Sequence, residues 1–300
     1  MRLRAELALI GVAMIWGLSF VIAKRALPDI PVPLYICLRF TLASITMAII
    51  YRRHISAGFT RQQWLAGLWV GTILMSGFLF QTFGLEQTSP AKNAFLTGLY
   101  IVLVPFFSAL FYRTRVGLFE LLGVAFAVAG MFLLCMTGWS LHIAGGDSLT
   151  IVSAAVYALH IIVLGHFAPK TGYVSISLLQ VSFACVASWI AYGVWSMGPA
   201  SAVAVRWTPA VITAIVFGGL LCTALAFTLQ SWGQQHTTTT RAALLMSLEL
   251  VFAWIASYLF DGEVLAMRAA AGAVLILGGI LVVELKPSAN TEHPSTQVHP

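Results

Sequence analysis

Apolar stretches of about 20 residues follow one another along nearly the whole of this 300-residue chain. At about 1.5 Å of rise per residue, each is long enough to cross the hydrocarbon core of a bilayer as a helix. They run roughly over 6–25, 33–51, 62–84, 90–112, 116–136, 148–166, 173–196, 209–233, 239–260 and 264–284. A soluble alternative fails on its surface. Only 9% of the residues are charged and 60% are hydrophobic, whereas soluble domains carry about 25% charged residues. The mean hydropathy of +0.93 agrees. The expectation is an all-α integral membrane protein with ten transmembrane helices. Local punctuation supports the boundaries: Ser89-Pro90 and Thr208-Pro209 each put an N-cap side chain before a proline at the first helical position.

The first residues, MRLRAELALIGVAMIWGLSF, lack a small-x-small cleavage site and read as a retained first span. The last fifteen, 286–300, are polar and proline-rich and read as a disordered cytoplasmic tail. Basic residues set the orientation. With the N-terminus inside, Arg2, Arg4, Arg52, Arg53, Arg61, Arg113, Arg115, Lys170, Arg241 and Lys286 are cytoplasmic. Lys24, Arg25, Lys92, Arg206 and Arg268 face outward, and Arg39 stays within the membrane. Both termini are therefore expected in the cytoplasm. The net charge of +6 is spread over short loops without a basic block, so it reads as topology and not as nucleic-acid binding. Cys37, Cys135, Cys185 and Cys222 sit in apolar runs without CxxC spacing and read as small buried hydrophobes.

The two halves resemble each other. Gln81, Gly84, Lys92, Leu99, Val102, Phe111, Gly123 and Gly130 match Gln230, Gly233, Arg241, Leu248, Val251, Phe260, Gly272 and Gly279 at an offset of 149. Nearer the start, Ala13, Trp16, Leu18 and Arg39 correspond to Ala154, Tyr157, Leu159 and Gln180 at an offset of 141, which implies an insertion near 196–208. Fixed-offset similarity marks a duplicated unit. Each unit, 1–140 and 141–285, holds five spans, and five is odd, so the second copy enters the membrane from the opposite side. Inverted-topology repeats with a midplane site between them are a recurring plan of secondary transporters.

The chain also resembles the EamA family of the drug/metabolite transporter superfamily. The similarity lies in Trp16-Gly17 with Ser19-Phe20 and Lys24, Leu38-Arg39-Phe40, Thr88-Ser89-Pro90-Ala91 and Val104-Pro105-Phe106. It continues through Ser247-Leu248-Glu249-Leu250-Val251-Phe252, Leu259-Phe260-Asp261-Gly262-Glu263 and the glycine-rich stretch from Gly272 to Gly279. The resemblance covers about 6–284. It implies ten helices, gradient-driven export or exchange of small metabolites, and a bacterial inner-membrane location. One departure stands out: the family has Glu-Pro where this chain has Glu249-Leu250. The ninth span is therefore expected to be straighter, with Pro105 kinking its mirrored partner.

Polar residues inside the spans point to the site, because an Asp, Arg or Lys at a helix centre costs about 2.5–3.5 kcal/mol on insertion scales. Trp16, Tyr100, Tyr157, His160 and Glu249 each lie about ten to twelve residues into their spans, near the midplane. Arg39 lies about two turns below the outer end of the second span. Each has a plain reading and a functional one. Glu249 is a structural carboxylate, or a proton carrier or anchor for a cationic group. Arg39 is a fixed structural charge or a partner for a substrate carboxylate. His160 is a satisfied interior residue or a coupling group, and the aromatic residues pack helices or line a cavity. The substrate-binding candidates are thus Trp16, Arg39, Tyr100, Tyr157, His160 and Glu249. The proton-coupling candidates are Glu249 and His160, one of them and not both. Gln81 and Gln230 are placed near opposite membrane faces, which suits gates or helix-end hydrogen bonds, the latter being the favoured reading. Gly67, Gly71, Gly272, Gly278 and Gly279 read as intramolecular close-approach positions.

No HExxH, paired-Asp, Walker A or GxSxG motif occurs. The expectation is a non-enzymatic carrier for a small amphipathic or zwitterionic molecule, with the bilayer as its surroundings and no cofactor or metal. A broad drug exporter is the neighbouring alternative, and an intramembrane channel or enzyme the distant one. Oligomeric state stays open.

Overall fold

The computed structural model describes residues 2–112, 117–137, 140–141, 144–198, 204–237, 239–264 and 266–284. The tail 286–300, Arg113, Arg115, Lys286 and part of the loop assigned the insertion lie outside the described residues. In chain order the helices are α1 (Arg2–Ala26), α2 (Val32–Ile50), α3 (Arg52–Ser56), α4 (Arg61–Gln87), α5 (Pro90–Thr97), α6 (Tyr100–Tyr112) and α7 (Leu118–Cys135). Then follow α8 (Gly145–Thr171), α9 (Tyr173–Ser196), α10 (Pro209–Val216), a π-helical stretch Phe217–Leu225, α11 (Ala226–His236), α12 (Thr239–Asp261) and α13 (Met267–Glu284). Between α7 and α8, Met136 and Thr137 pair antiparallel with Leu141 and Ser140.

The protein is a multi-pass, helical membrane protein. Among the described residues, seven helical stretches are long and apolar enough to cross a bilayer: Leu3–Ala26, Val32–Ile50, Arg61–Gln87, Pro90–Phe111, Gly145–Thr171, Tyr173–Ser196 and Pro209–His236. Shorter apolar helices, Leu121–Gly130 and Ala270–Gly279, lie within α7 and α13. The remaining expected span corresponds to α12, one uninterrupted helix of 23 residues. Helix starts follow the side chains that cap them. Lys92 N donates to Ser89 Oγ at 3.3 Å, Val211 N donates to Thr208 Oγ1 at 3.4 Å, and Thr60 forms a capping box with Gln63.

The expected fourth span is interrupted between α5 and α6, at Gly98 and Leu99, seven residues before Pro105. Gly98 faces Leu250, and a Cβ added there would stand 2.6 Å from Leu250 Cδ2. The residue that departs from the family pattern thus occupies the space that the glycine leaves.

Equivalent helices of the two halves meet each other running in opposite directions. In α7 and α13, a Cβ at Gly130 would strike Gly272 O, and one at Gly279 would lie 2.6 Å from Gly123 O. Numbers rise along one helix as they fall along the other, so the pair is antiparallel. In α2 and α9, Trp189 Nε1 donates to Thr41 Oγ1 at 2.9 Å while Ser44 Oγ donates to Val181 O at 3.3 Å, again in opposite senses. The other pairings come in matched sets when the halves are exchanged: α1 packs on α12 as α8 packs on α5 and α6, and α4 packs on α8 as α11 packs on α1. Gly278, by contrast, has nothing within 4 Å of an added Cβ, so it is not one of the close-approach glycines.

Candidate functional site

The packing of α1, α2, α4, α5, α6, α8, α11 and α12 encloses a cavity of about 70 Å³. Trp16, Arg39, Tyr100, Tyr157, His160 and Glu249 all line it. They come from five different helices, with only Tyr157 and His160 sharing one, so no local pattern in the chain could have grouped all six. Arg39, His160 and Glu249 are only 4%, 2% and 4% exposed.

Arg39 is held from the π-helical stretch. Its Nε donates to Thr223 Oγ1 at 2.8 Å, and Thr223 spends its own hydroxyl proton on Gly218 O, five residues back, at 2.7 Å. That five-residue reach belongs to π-helical winding, which concentrates at functional sites. Gly218 and Gly219 make the cradle. A Cβ at Gly218 would stand 3.1 Å from Arg39 Cδ and 3.2 Å from the Tyr35 hydroxyl, and one at Gly219 would lie 3.0 Å from Arg39 O. The guanidinium also lies over the Phe78 ring, 4.5 Å from its centroid, a cation–π contact that is stronger for being desolvated. Trp16 reaches the same stretch, its Nε1 donating to Cys222 O at 3.0 Å. Its ring leans on Phe227, centroids 5.4 Å apart.

Glu249 and Tyr100 interact across α12 and α6, but their placement leaves Glu249 Oε1 and the Tyr100 hydroxyl, both buried, short of a regular hydrogen bond. Such groups are rare in native structures and call for an explanation. Ion pairs among the described residues include Arg25–Asp261, Lys92–Asp147 and Arg206–Asp29. None involves Arg39 or Glu249. The cavity therefore holds one cation and one carboxylate, neither paired with an opposite charge.

Tyr157 donates to Gln81 Oε1 at 3.0 Å, and Gln81 Nε2 donates to Thr97 Oγ1 at 3.3 Å. Gln230 lines the cavity too, and its Oε1 has no partner. This corrects the expectation that Gln81 and Gln230 serve helix ends. Both amides project into the interior, where an apolar run had hidden them. Their matched positions in the repeat were the available signal. Cys37 and Cys222 are buried and Cys185 is partly buried, all three unbridged, and the Cys135 side chain lies outside the described set. No cluster of three His, Cys, Asp or Glu side chains able to hold a metal occurs among the described residues.

One end of the bundle, that of the α1 C-terminus, is closed by charge. Lys24 Nζ donates to Leu85 O and Glu86 O at 2.9 Å each, in the last turn of α4 where intrahelical donors run out. Arg25 pairs with Asp261 at 2.7 Å and also reaches Phe260 O. Glu263 accepts from Ser89 and Ser257, and Asp29 accepts from Thr208 Oγ1 at 2.8 Å. Ala23 and Leu85, next in sequence to Lys24 and Glu86, line the cavity, so this layer is its roof. The opposite end is joined by neutral contacts such as Gln63 Nε2 donating to Thr171 O at 3.0 Å.

The sequence pattern of the EamA-like transporter family matches residues 3–136 and again residues 144–285. The chain belongs to the EamA-like transporter family. The two matched segments coincide with the two sets of equivalent helices. Relatives matched over nearly their full length are named as transporters. An uncharacterized transporter of Archaeoglobus fulgidus is 28% identical over 95% of this chain and 87% of its own length. The uncharacterized transporter YvbV of Bacillus subtilis is 24% identical over 96% and 94%, and YyaM of the same organism 26% over 98% and 99%. A solved crystal structure superposes with a TM-score of 0.67 over 95% of this chain and 98% of its own, at 18% identity, and so shares the fold.

Proposed function

We propose that this EamA-like protein is a secondary transporter that exports or exchanges small zwitterionic metabolites, amino acids foremost, by alternating access. On this reading ten spans form two inverted five-helix halves, 1–140 and 141–285, in a bacterial inner membrane with both termini in the cytoplasm. The antiparallel meetings of α7 with α13 and of α2 with α9 support the inversion, since a two-fold axis in the membrane plane reverses each helix relative to its equivalent.

The observation that carries the reading is a guanidinium and a carboxyl group in one cavity, neither facing a group of opposite charge. A buried charge is retained when something pairs with it. Arg39 suits a carboxylate, which a guanidinium can grip with two N–H groups. Glu249 suits an ammonium group. The cavity is smaller than the roughly 300 Å³ at which small-molecule pockets begin, so a substrate has to widen it, as a rocking carrier does on leaving its closed state. Proton coupling through Glu249 or His160 belongs to the same proposal.

Counterflow tests it. Proteoliposomes preloaded with a mixture of unlabelled amino acids are expected to take up at least one labelled amino acid saturably and return it unchanged. Collapsing a proton gradient is expected to stop uphill movement while exchange continues. Absence of exchange for every amino acid, or flux that does not saturate, overturns the proposal. The aromatic lining from Trp16, Phe20, Phe78, Tyr157 and Phe227 favours a second reading, a broad drug exporter. Transport that survives Arg39→Gln unchanged selects it.

A further inference from the structure

A hydrogen-bond chain behind the cavity wall determines which nitrogen of His160 carries the proton. It begins at Ser231, four residues after Phe227 on α11, whose hydroxyl donates to Phe227 O at 2.7 Å. A serine has one proton to give, so Ser231 Oγ can then only accept. Gln180 on α9 meets it at 3.2 Å, and the group that meets an acceptor is the amide nitrogen, Nε2. This turns Gln180 Oε1 the other way, where it lies 3.0 Å from His160 Nε2. A carbonyl oxygen donates nothing, so the proton on that bond belongs to His160. Each link is sealed from water: Ser231 and Gln180 are 0% exposed and His160 2%. The edge of the Phe227 ring, with centroids 6.1 Å apart and planes at 83°, fixes the plane of the imidazole.

With Nε2 protonated, the neutral ring leaves Nδ1 as a bare acceptor. No described residue donates to it, and His160 lines the cavity. Gln230 Oε1 and Glu249 Oε1, also cavity groups, are acceptors without donors. This set is complementary to a donor-rich group such as a primary ammonium, whereas Arg39 supplies the donors for the other end of a zwitterion.

We propose that Gln180 is a positioning residue. Oriented by Ser231, it holds His160 as the Nε2-protonated imidazole and so presents Nδ1 to the cavity as an acceptor. Gln180 stands in the second half where Arg39 stands in the first. The duplicated position thus serves the cavity directly in one half and through a histidine in the other. The use of Nδ1 in binding rests on the transport reading above; the position of the proton does not.

Nitrogen-15 NMR of histidine-labelled full-length protein in liposomes reads the proton directly, with the His160 signals assigned by their loss in His160→Gln. The expected parental spectrum has a protonated Nε2 and a bare Nδ1 for His160. Gln180→Leu is expected to move a measurable fraction to the Nδ1-protonated form or to a mixture. Gln180→Glu, which keeps an acceptor toward Nε2, is expected to keep Nε2 protonated. If Gln180→Leu does not fold, Ser231→Ala serves in its place, because it frees the Gln180 amide to turn over. A parental His160 protonated at Nδ1 overturns the proposal, as does an unchanged spectrum in the variant that removes the link. Both measurements are made without substrate, so failure of the transport reading leaves them intact.

Discussion

Arg39 and Glu249 are the two residues whose cost is hardest to explain without a ligand. Each charge costs about 2.5–3.5 kcal/mol at the centre of a spanning helix. Arg39 recovers part of this from Thr223 and Phe78, while one Glu249 oxygen recovers nothing from a hydrogen bond. Neutralising the carboxylate should therefore leave the fold as stable as before and remove only what the charge does for substrate. Glu249→Gln is expected to keep the parental melting temperature in detergent. Arg39→Ala and Glu249→Gln are each expected to reduce exchange by about 10- to 100-fold, as for the loss of one charge-assisted hydrogen bond of about 1.5–3 kcal/mol. Exchange at parental rates in both variants would remove the charges from the site. At this scale the chain was legible where insertion energy is high. Arg39, Glu249 and His160 stand out because an ionisable group in an apolar run is expensive. Gln81, Gln230 and Thr223 do not, because a neutral amide or hydroxyl costs less and occurs in many helices for no functional reason. Thr223 was the hardest to see, since its role depends on a π-helical register that hydropathy does not encode.

Among the elements, the ends of spans were readable and their interruptions were not. Ser89-Pro90 and Thr208-Pro209 announce helix starts because capping and proline chemistry are local. The break at Gly98 and the π-helical winding at Phe217–Leu225 fall inside uniformly apolar runs, where only contacts from other helices decide. Glycines illustrate the same limit. Gly130, Gly278 and Gly279 look alike in sequence, yet an added Cβ meets backbone at Gly130 and Gly279 and open space at Gly278. Overpacking a close contact costs about 1–3 kcal/mol. Gly130→Leu and Gly279→Leu are thus expected to lower the temperature at which the detergent-solubilised protein loses its monodisperse peak. Gly278→Leu should leave that temperature within error of the parent. Equal losses in all three would mean that α7 and α13 do not meet through these glycines.

For the whole molecule, the duplication was visible from residues spaced 149 apart, because matched glycines and glutamines survive where apolar residues interchange freely. The closure of one end was not visible, because its partners lie far apart in sequence: Arg25 with Asp261, Lys24 with the end of α4, Glu263 with Ser89. Together they tie α1, α4, α5 and α12 over the cavity, while at the other end Gln63 joins α4 to Thr171 and Ser175 through neutral hydrogen bonds. On the proposed orientation, with the N-terminus inside, this charged layer is the outward-facing one and would act as the outer barrier of the cavity. Solvent-exposed ion pairs contribute about 0.2–1 kcal/mol each. Removing the Arg25–Asp261 pair together with the two Lys24 bonds should shift the balance between closed and open states by about 1–2 kcal/mol, or about 5- to 30-fold. A reporter cysteine at Thr97, which lines the cavity, reads that balance in a background lacking the native cysteines. A membrane-impermeant maleimide added outside intact cells is expected to label Thr97→Cys slowly. Adding Lys24→Ala and Arg25→Ala should raise the rate by about 5- to 30-fold, the same factor as the shift in population. Labelling that is fast from the start, or unaltered by the two substitutions, would show that this layer does not control access to the cavity. Labelling that occurs only from the cytoplasmic side of inverted vesicles, and accelerates there, would reverse the assigned orientation while keeping the layer as the barrier.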